Sequence, residues 1–454
     1  MEYSLSCITS IDGRYSDRTR ILSDYFSEKA LIKYRLKIEI EYLIHLLRVL
    51  NIDIIHNKET YENFKYNLRD IYNNIKDEYI IEIKKIESKV KHDVKSVELF
   101  LRNKLTELNF DKYNEYIHFG LTSQDINSTS YVLSFYEANN EVFIPHMNML
   151  LDILNDIIIK YKHVPMLSRT HGQPASPTLV GKEINVFSYR LSKQLELLKS
   201  YNYTTKFGGA VGNFNSHYIT YPEIDWIKFS DSFIELFGFT RNKYTTQIDI
   251  YDNYSELFDI FKRLSVILLD LSRDMWLYIS QEYFKQKCIS TEVGSSTMPH
   301  KINPIYFENA EGNLMLAITL FEFLSKKLPV SRLQRDLSDS TVLRNVGTCF
   351  AYLLISITSI CEGFKRIEPN LEKIKSDLNN NSIVLAEAIQ SILRRESVDN
   401  SYDIIKSITR NDTEFSINNI IRVIEQKLVY HVNKNKIIDE IKSLDVNNYT
   451  GIYE

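Results

Sequence analysis

Along much of the chain, apolar residues recur at three- and four-residue spacing, the pattern of helices with one buried face. Met147, Leu150, Leu151, Leu154, Ile157, Ile158 and Tyr161 form one such stripe. Ile184, Phe187, Leu191 and Leu195 form a second behind Lys182-Glu183. From Tyr254 to Tyr283 apolar positions spread to nearly every face, with Leu257, Phe261, Leu264, Leu268, Leu271 and Met275 along one row. A helix apolar all round is buried, here against other long helices, including those of further chains in an assembly. Period-two alternation is scarce and no βαβ order appears, so the predicted fold class is all-α. Soft boundaries fall near residue 111, after Leu108-Asn109-Phe110, and near 365, after Cys361-Glu362-Gly363. They divide the chain into an N-terminal helical domain (1–111), a central long-helix domain (112–364) and a C-terminal helical domain (365–454). Asn379-Asn380-Asn381 marks a turn within the last.

Composition refines this picture modestly. The 454 residues suit two or three domains, and 13 Gly and 9 Pro leave room for long helices. A net charge of −4 gives no general attraction to nucleic acid, while leaving local cationic pockets open. Cys7, Cys288, Cys349 and Cys361 show neither a C-x-x-C pair nor zinc spacing, which points to reduced thiols and a cytoplasmic setting. Met1 to Ser10 lacks the basic-then-apolar order of a secretory signal. Leu264 to Ile279 is interrupted by Asp270, Arg273 and Asp274, so it reads as a buried helix and not a membrane span.

The densest chemistry lies at Gly294-Ser295-Ser296-Thr297-Met298-Pro299-His300-Lys301-Ile302-Asn303. Glycine frees the backbone, two serines supply hydroxyls, and His300 and Lys301 add an imidazole and a fixed cation. Asn303 reads as an N-cap and Pro304 as the first helical residue, whose exposed N–H groups beside Lys301 would attract an anion. In His118-Phe119-Gly120-Leu121-Thr122-Ser123-Gln124-Asp125, Thr122 and Asp125 stand in capping-box relation. That start serves plain capping and carboxylate binding alike. Ser168 to Pro177 reads as a loop ending in a helix start at Ser176-Pro177, with His171 beside a flexible glycine. Arg14-Tyr15, in a tight polar turn, offers a cation and a ring. Arg332, Arg335 and Arg344 surround Asp336, Asp339, Ser340 and Thr341, and Ser340 and Arg344 at i, i+4 suit one phosphate or an ion-paired surface equally. His92-Asp93 could open a metal-dependent phosphohydrolase site, but further ligands at helical spacing are missing. Gly208-Gly209-Ala210-Val211-Gly212-Asn213 has the wrong spacing for a dinucleotide fingerprint, and no P-loop or nucleophile elbow is present.

The Gly294 segment through Pro304 resembles the Gly-Ser-Ser-x-Met-Pro-x-Lys-x-Asn-Pro signature of the fumarase/aspartase superfamily. Further segments resemble its adenylosuccinate lyase branch: Asp12-Gly13-Arg14-Tyr15, His92-Asp93, Thr122-Ser123-Gln124-Asp125, Thr170-His171-Gly172-Gln173-Pro174, Tyr244-Thr245-Thr246-Gln247-Ile248, Asn309-Ala310-Glu311-Gly312-Asn313 and Ser340-Thr341-Val342-Leu343-Arg344. One departure is Val90, where the family usually has Thr two residues before the His.

The resemblance implies reversible β-elimination of fumarate from adenylosuccinate, giving AMP, and from the succinyl-aminoimidazole carboxamide ribotide (SAICAR), giving AICAR. A base must remove a proton beside a carboxylate while an acid protonates the departing nitrogen. Chemistry alone favours His300 as the base; by the resemblance the base is Ser295 and the acid His171, with His92 and Lys301 assisting. It further implies that Thr122, Ser123, Ser296, Lys301 and Asn303 hold the succinyl carboxylates, that Gln247 and Asn309 orient the substrate, and that Ile302 is a substrate contact. Arg14, Tyr15, Arg335, Ser340 and Arg344 would hold the nucleotide and its phosphate, His92 would act at the leaving-group or phosphate side, and Lys91, Asp93, Thr341, Val342 and Leu343 are further substrate contacts. No metal or organic cofactor, nucleic acid or membrane is implied. The expected assembly is a homotetramer with a shared central bundle and active sites drawn from three chains. A sister lyase acting on argininosuccinate, a non-catalytic structural relative and the metal phosphohydrolase remain as alternatives.

Overall fold

The computed structural model describes residues 6–287, 297–410 and 417–453, and the chain forms two compact units. The first comprises Met1–Asn148, Lys193–Leu269 and Asn309–Ser359, and the second Met149–Ser192, Asp270–Glu308 and Ile360–Glu454. The all-α expectation holds. Strands among the described residues are three short two-stranded pairings.

In the first unit, Ser27 caps the Glu28–Val49 helix by accepting the Ala30 N–H. That helix buries Ile32, Leu36, Ile40, Leu43 and Leu47 at three- and four-residue spacing. They pack with Phe64 and Leu68 of the Lys58–Asn73 helix and Val97, Phe100 and Leu101 of the Asp93–Glu107 helix. Each such side chain contributes about 1.5–3 kcal/mol of burial. A second focus is Phe350, whose ring meets Phe26, Phe135, Phe143, Phe261 and Phe321 at centroid distances of 4.8–6.0 Å. These aromatic contacts tie together helices that are distant in sequence. The Ser123–Ala138 helix continues through a wide π turn at Asn139–Phe143 into the Ile144–Lys160 helix.

The predicted stripes lie on helices at Ile144–Lys160, Val180–Lys199 and Asp252–Ser280. The last stops three residues short of Tyr283. Its row from Leu257 to Met275 is buried, while Val266, Trp276 and Leu277 on other faces are 39–46% exposed in this single chain. Ser123–Lys160 and Ser338–Lys365 are long and apolar enough to cross a membrane by length and composition. Both carry polar groups into the interior, Asp125, Asn127 and Ser128 in one and Asp339, Ser356 and Ser359 in the other, as core helices do.

The second unit corrects one expectation. Residues 165–179 are not a loop running into a helix at Ser176-Pro177. They form an antiparallel hairpin, Pro165–Thr170 against Gln173–Leu179, and the next helix starts at Val180. His171 (φ 53°) and Gly172 (φ 74°) make the two-residue turn, both left-handed as a tight hairpin of primed type requires. Leu167 anchors the hairpin among Leu378, Leu385 and Val446. The C-terminal helices enclose their own core, with Ile389, Ile420, Ile424, Ile437 and Ile441. The Asn379-Asn380-Asn381 run ends the Leu371–Asn380 helix, as expected of a turn. The helix after Asn303-Pro304 starts at Ile305, with the Pro304 carbonyl accepting Phe307 and Glu308, one residue later than predicted.

Candidate active site

Two helix starts and one short helix converge in the first unit. The Asp77–Val90 helix ends at Lys91, which takes the left-handed conformation (φ 56°), and the next helix begins two residues on, with His92 as its cap. This sharp corner points Lys91, His92 and Asp93 into a cavity of about 350 Å³. Ser123 and Gln124 enter from the start of the Ser123–Ala138 helix. Arg335, Ser340, Leu343 and Arg344 enter from the Ser338–Leu343 helix and its flanks. Arg35, Lys91, Arg335 and Arg344 face Glu87 and Asp93, a cationic excess that the two long helices' N-termini reinforce. A larger cavity of about 550 Å³ beside the N-terminal turn shares Arg344, but Asp12, Asp17 and Arg20 leave it without that excess.

Asp93 is the structural pivot of the cavity. One carboxylate oxygen accepts from Arg35 and Arg344, each at 2.8 Å, and the other from the Val94 N–H at 2.9 Å. Burial alone would raise its pKa; Arg35 and then Arg344 overcome that and hold it at about 2. With its oxygens so engaged, Asp93 is poorly placed as a metal ligand.

His92 Nδ1 accepts the Lys95 backbone N–H at 3.1 Å. An amide can only donate, so Nδ1 is unprotonated and the neutral ring carries its proton on Nε2. Nε2 lies 3.4 Å from the Ser123 hydroxyl. The helix cap thus fixes the tautomer, and the imidazole presents an N–H to the cavity.

The capping box at Thr122 forms, with the Asp125 carboxylate accepting the Thr122 N–H at 2.8 Å. The other Asp125 oxygen accepts from the Lys206 ammonium (2.7 Å) and the N–H groups of Gly208 (2.8 Å) and Gly209 (3.2 Å). Asp125 and Lys206 are completely buried. The Gly208-Gly209 segment is therefore wrapped around a buried ion pair that anchors the helix presenting Ser123. His118, from the same stretch, donates its Nδ1 proton in a hydrogen bond to the Glu39 carboxylate at 2.6 Å. Burial opposes its charge, but Glu39 outweighs burial and raises the His118 pKa.

Other predicted residues lie elsewhere. Thr341 and Val342 are on the Ser338–Leu343 helix but do not line the cavity. Gln247 donates its amide to the Ala210 carbonyl at 3.1 Å. Asn309 donates to the Tyr15 hydroxyl at 2.8 Å, and Arg14 is exposed on the same turn as Tyr15. In the second unit, His171 is at the exposed hairpin tip. Lys301 is exposed with its N–H on the Met298 carbonyl, and the Ile302 carbonyl accepts from Gln286 at 2.7 Å, next to Asn303. Gly294, Ser295, Ser296 and Cys288 lie outside the described residues.

Arg35 and Gln124 are functional candidates that the sequence reading missed. Arg35 donates to Asn127 (2.8 Å) besides Asp93, and buried Gln124 donates to Asp339 (3.2 Å) and Ser340 (3.3 Å). Arg35 sits among other charged residues of its helix, Lys33, Lys37 and Glu39, with no motif around it, so no local signal marked it. Gln124 stood within the quoted capping segment, and its burial was the missing fact.

The chain is predominantly helical, and its match to a family model places it in the lyase class. Residues 13–318 match the family described as Lyase, and two solved structures share the fold over nearly the full length. A fumarate lyase from Mesorhizobium sp. BNC1 has TM-score 0.73 and 15% identity, covering 96% of this chain and 95% of that one. The 3-carboxy-cis,cis-muconate lactonizing enzyme from Pseudomonas putida has TM-score 0.72 and 17% identity, with the same coverage. Residues 331–450 match the family described as Adenylosuccinate lyase C-terminal. The chain is 46% identical to the adenylosuccinate lyase of Dictyostelium discoideum over 99% of its length and 97% of the relative's. It is 43% identical to that of Escherichia coli K12 over 90% and 89%. The chain belongs to the adenylosuccinate lyase family.

Proposed function

We propose that this chain eliminates fumarate reversibly from adenylosuccinate, giving AMP, and from SAICAR, giving AICAR, as a carbon–nitrogen lyase of purine nucleotide biosynthesis. The observation that carries the reading is the cavity in which Asp93 ties down Arg35 and Arg344 while Lys91, His92, Ser123, Arg335 and Ser340 surround the remaining space. Such a set suits an anionic nucleotide. Ser295 would remove the proton next to the substrate carboxylate and His171 would protonate the leaving nitrogen. Lys301 and neighbouring donors would stabilise the developing dianion, which lowers the barrier more than either proton transfer alone. A serine hydroxyl is a weak acid, so its alkoxide requires the Lys301 cation and amide dipoles close by. His92, with its proton on Nε2, would donate at the leaving-group or phosphate side. Thr122, Ser123, Ser296 and Asn303 would hold the succinyl carboxylates, Gln247 and Asn309 the substrate's orientation, and Arg14 and Tyr15 the nucleotide, with Ile302, Thr341, Val342 and Leu343 as further substrate contacts.

We further propose a cytoplasmic homotetramer whose active sites gather loops from three chains, built on domains 1–111, 112–364 and 365–454. Exposed Met149, Tyr189, Leu197, Val266, Trp276, Leu277, Met315 and Phe323 on four long helices support such a bundle.

The test is ultraviolet monitoring of adenylosuccinate with purified protein beside Ser295→Ala and His171→Ala. AMP and fumarate should appear, and each variant should lose at least about 100-fold in kcat. A fully active Ser295→Ala would transfer the base to His300. An inactive wild-type tetramer would redirect the assignment to argininosuccinate and other succinyl amines.

A further inference from the structure

Four side chains far apart in sequence form a hydrogen-bonded row within the first unit. Arg18 Nη1 donates to the Ser359 hydroxyl at 2.6 Å, Ser359 donates to Asn309 Oδ1 at 2.8 Å, and Asn309 Nδ2 donates to the Tyr15 hydroxyl oxygen at 2.8 Å. A guanidinium can only donate, so Ser359 accepts there and donates its own O–H to Asn309 Oδ1. The Asn309 NH₂ group then faces Tyr15, whose oxygen accepts. Tyr15 therefore keeps its O–H for a partner outside the row. Ser359 is completely buried, so water does not compete for its hydroxyl.

The head of the row is unusual. Arg18 is half-buried and makes no carboxylate ion pair among the described residues; its contact is with a neutral serine. Each bond polarises the next, and a cation at one end strengthens the donor at the other. The turn carrying Tyr15 is itself fastened by Thr19, whose hydroxyl reaches the Ile11 and Tyr15 carbonyls at 2.8 and 3.0 Å. The ring is thus fixed at its backbone as well as at its hydroxyl.

We infer that Arg18 and Ser359 are positioning residues that act through Asn309 to orient the Tyr15 hydroxyl as a donor to an anionic oxygen of the nucleotide. This rests on the assignment of Tyr15 to nucleotide binding. The predicted signature is a loss confined to the nucleotide side of the reaction.

The experiment runs the enzyme in the synthetic direction, AMP plus fumarate, and determines KM for each substrate in Tyr15→Phe, Arg18→Met, Ser359→Ala, Arg18→Lys and the Tyr15→Phe/Arg18→Met double variant. Tyr15→Phe, Arg18→Met and Ser359→Ala should each raise KM for AMP by about 10-fold, with less than about a two-fold change in KM for fumarate. The double variant should be no worse than Tyr15→Phe alone, because the row acts through Tyr15. Arg18→Lys should recover most of the loss. If Tyr15→Phe raises KM for AMP while Arg18→Met and Ser359→Ala do not, or if the double variant is additive, the row plays no part and Tyr15 keeps its assignment. If Tyr15→Phe leaves KM for AMP unchanged, the nucleotide assignment of Tyr15 fails and the inference with it. Equal effects on both substrates, accompanied by a lower melting temperature, would reduce the row to a structural clasp.

Discussion

Asp125 divides its two carboxylate oxygens between local and distant tasks: one closes the helix cap at Thr122, the other holds Lys206 and the backbone at Gly208 and Gly209. The first task was legible, since Thr122 and Asp125 lie three residues apart in a capping-box pattern. The second was not, because Lys206 is 81 residues away and nothing around it distinguishes it from a surface lysine. Removing one partner of a buried ion pair leaves the other charge stranded. Lys206→Met should therefore destabilise the protein by about 3–5 kcal/mol, read as a lower urea midpoint. Adding Asp125→Asn should recover part of that loss. If Lys206→Met unfolds at the wild-type midpoint, the pair is not holding the helix start.

At the scale of elements, the long helices were readable because three-four spacing survives without tertiary information, and their observed bounds differ from the stripes by a few residues. The hairpin at 165–179 was hidden for an identifiable reason. Ser176-Pro177 is as good a helix N-terminus as it is a strand segment, and two prolines in one strand count against a sheet. The deciding pair is His171-Gly172, whose left-handed angles permit a two-residue turn. A Cβ at Gly172 would meet nothing within 4 Å, so any cost of substitution there is backbone strain and not collision. Gly172→Val should lower kcat about 10-fold or more by displacing His171, whereas Gly172→Asn, which tolerates a left-handed backbone, should stay close to wild type. Equal kcat in the two variants would show that the turn geometry does not set the position of His171.

At the scale of the whole molecule, class and family were legible because motifs scattered from Asp12 to Arg344 agreed with one another. What stayed hidden was how distant segments meet: Arg35 and Ser359 carry no motif, and the capping segment that contains Gln124 does not announce its contacts with Asp339 and Ser340. The exposed apolar side chains on the long helices belong to this scale too. Light scattering should give four times the 53.4 kDa chain mass. Mixing separately inactive His171→Ala and Ser295→Ala proteins should restore part of the activity, because some sites in a mixed tetramer would draw both intact residues. A mass of one chain with full activity would overturn the shared-site assembly.

The row from Arg18 to Tyr15 spans 341 residues between Arg18 and Ser359 and 294 between Tyr15 and Asn309. At about 5–20 residues per second, a ribosome needs very roughly 15–70 s to make that stretch. The first turn of the nascent chain thus emerges long before its partners exist. Its partner Ser359 is made only when nearly four-fifths of the protein has been synthesised, so Tyr15 is among the first residues made while the row that holds its hydroxyl is completed late. Any chain that terminates before Ser359 carries Tyr15 without the complete row that holds its hydroxyl.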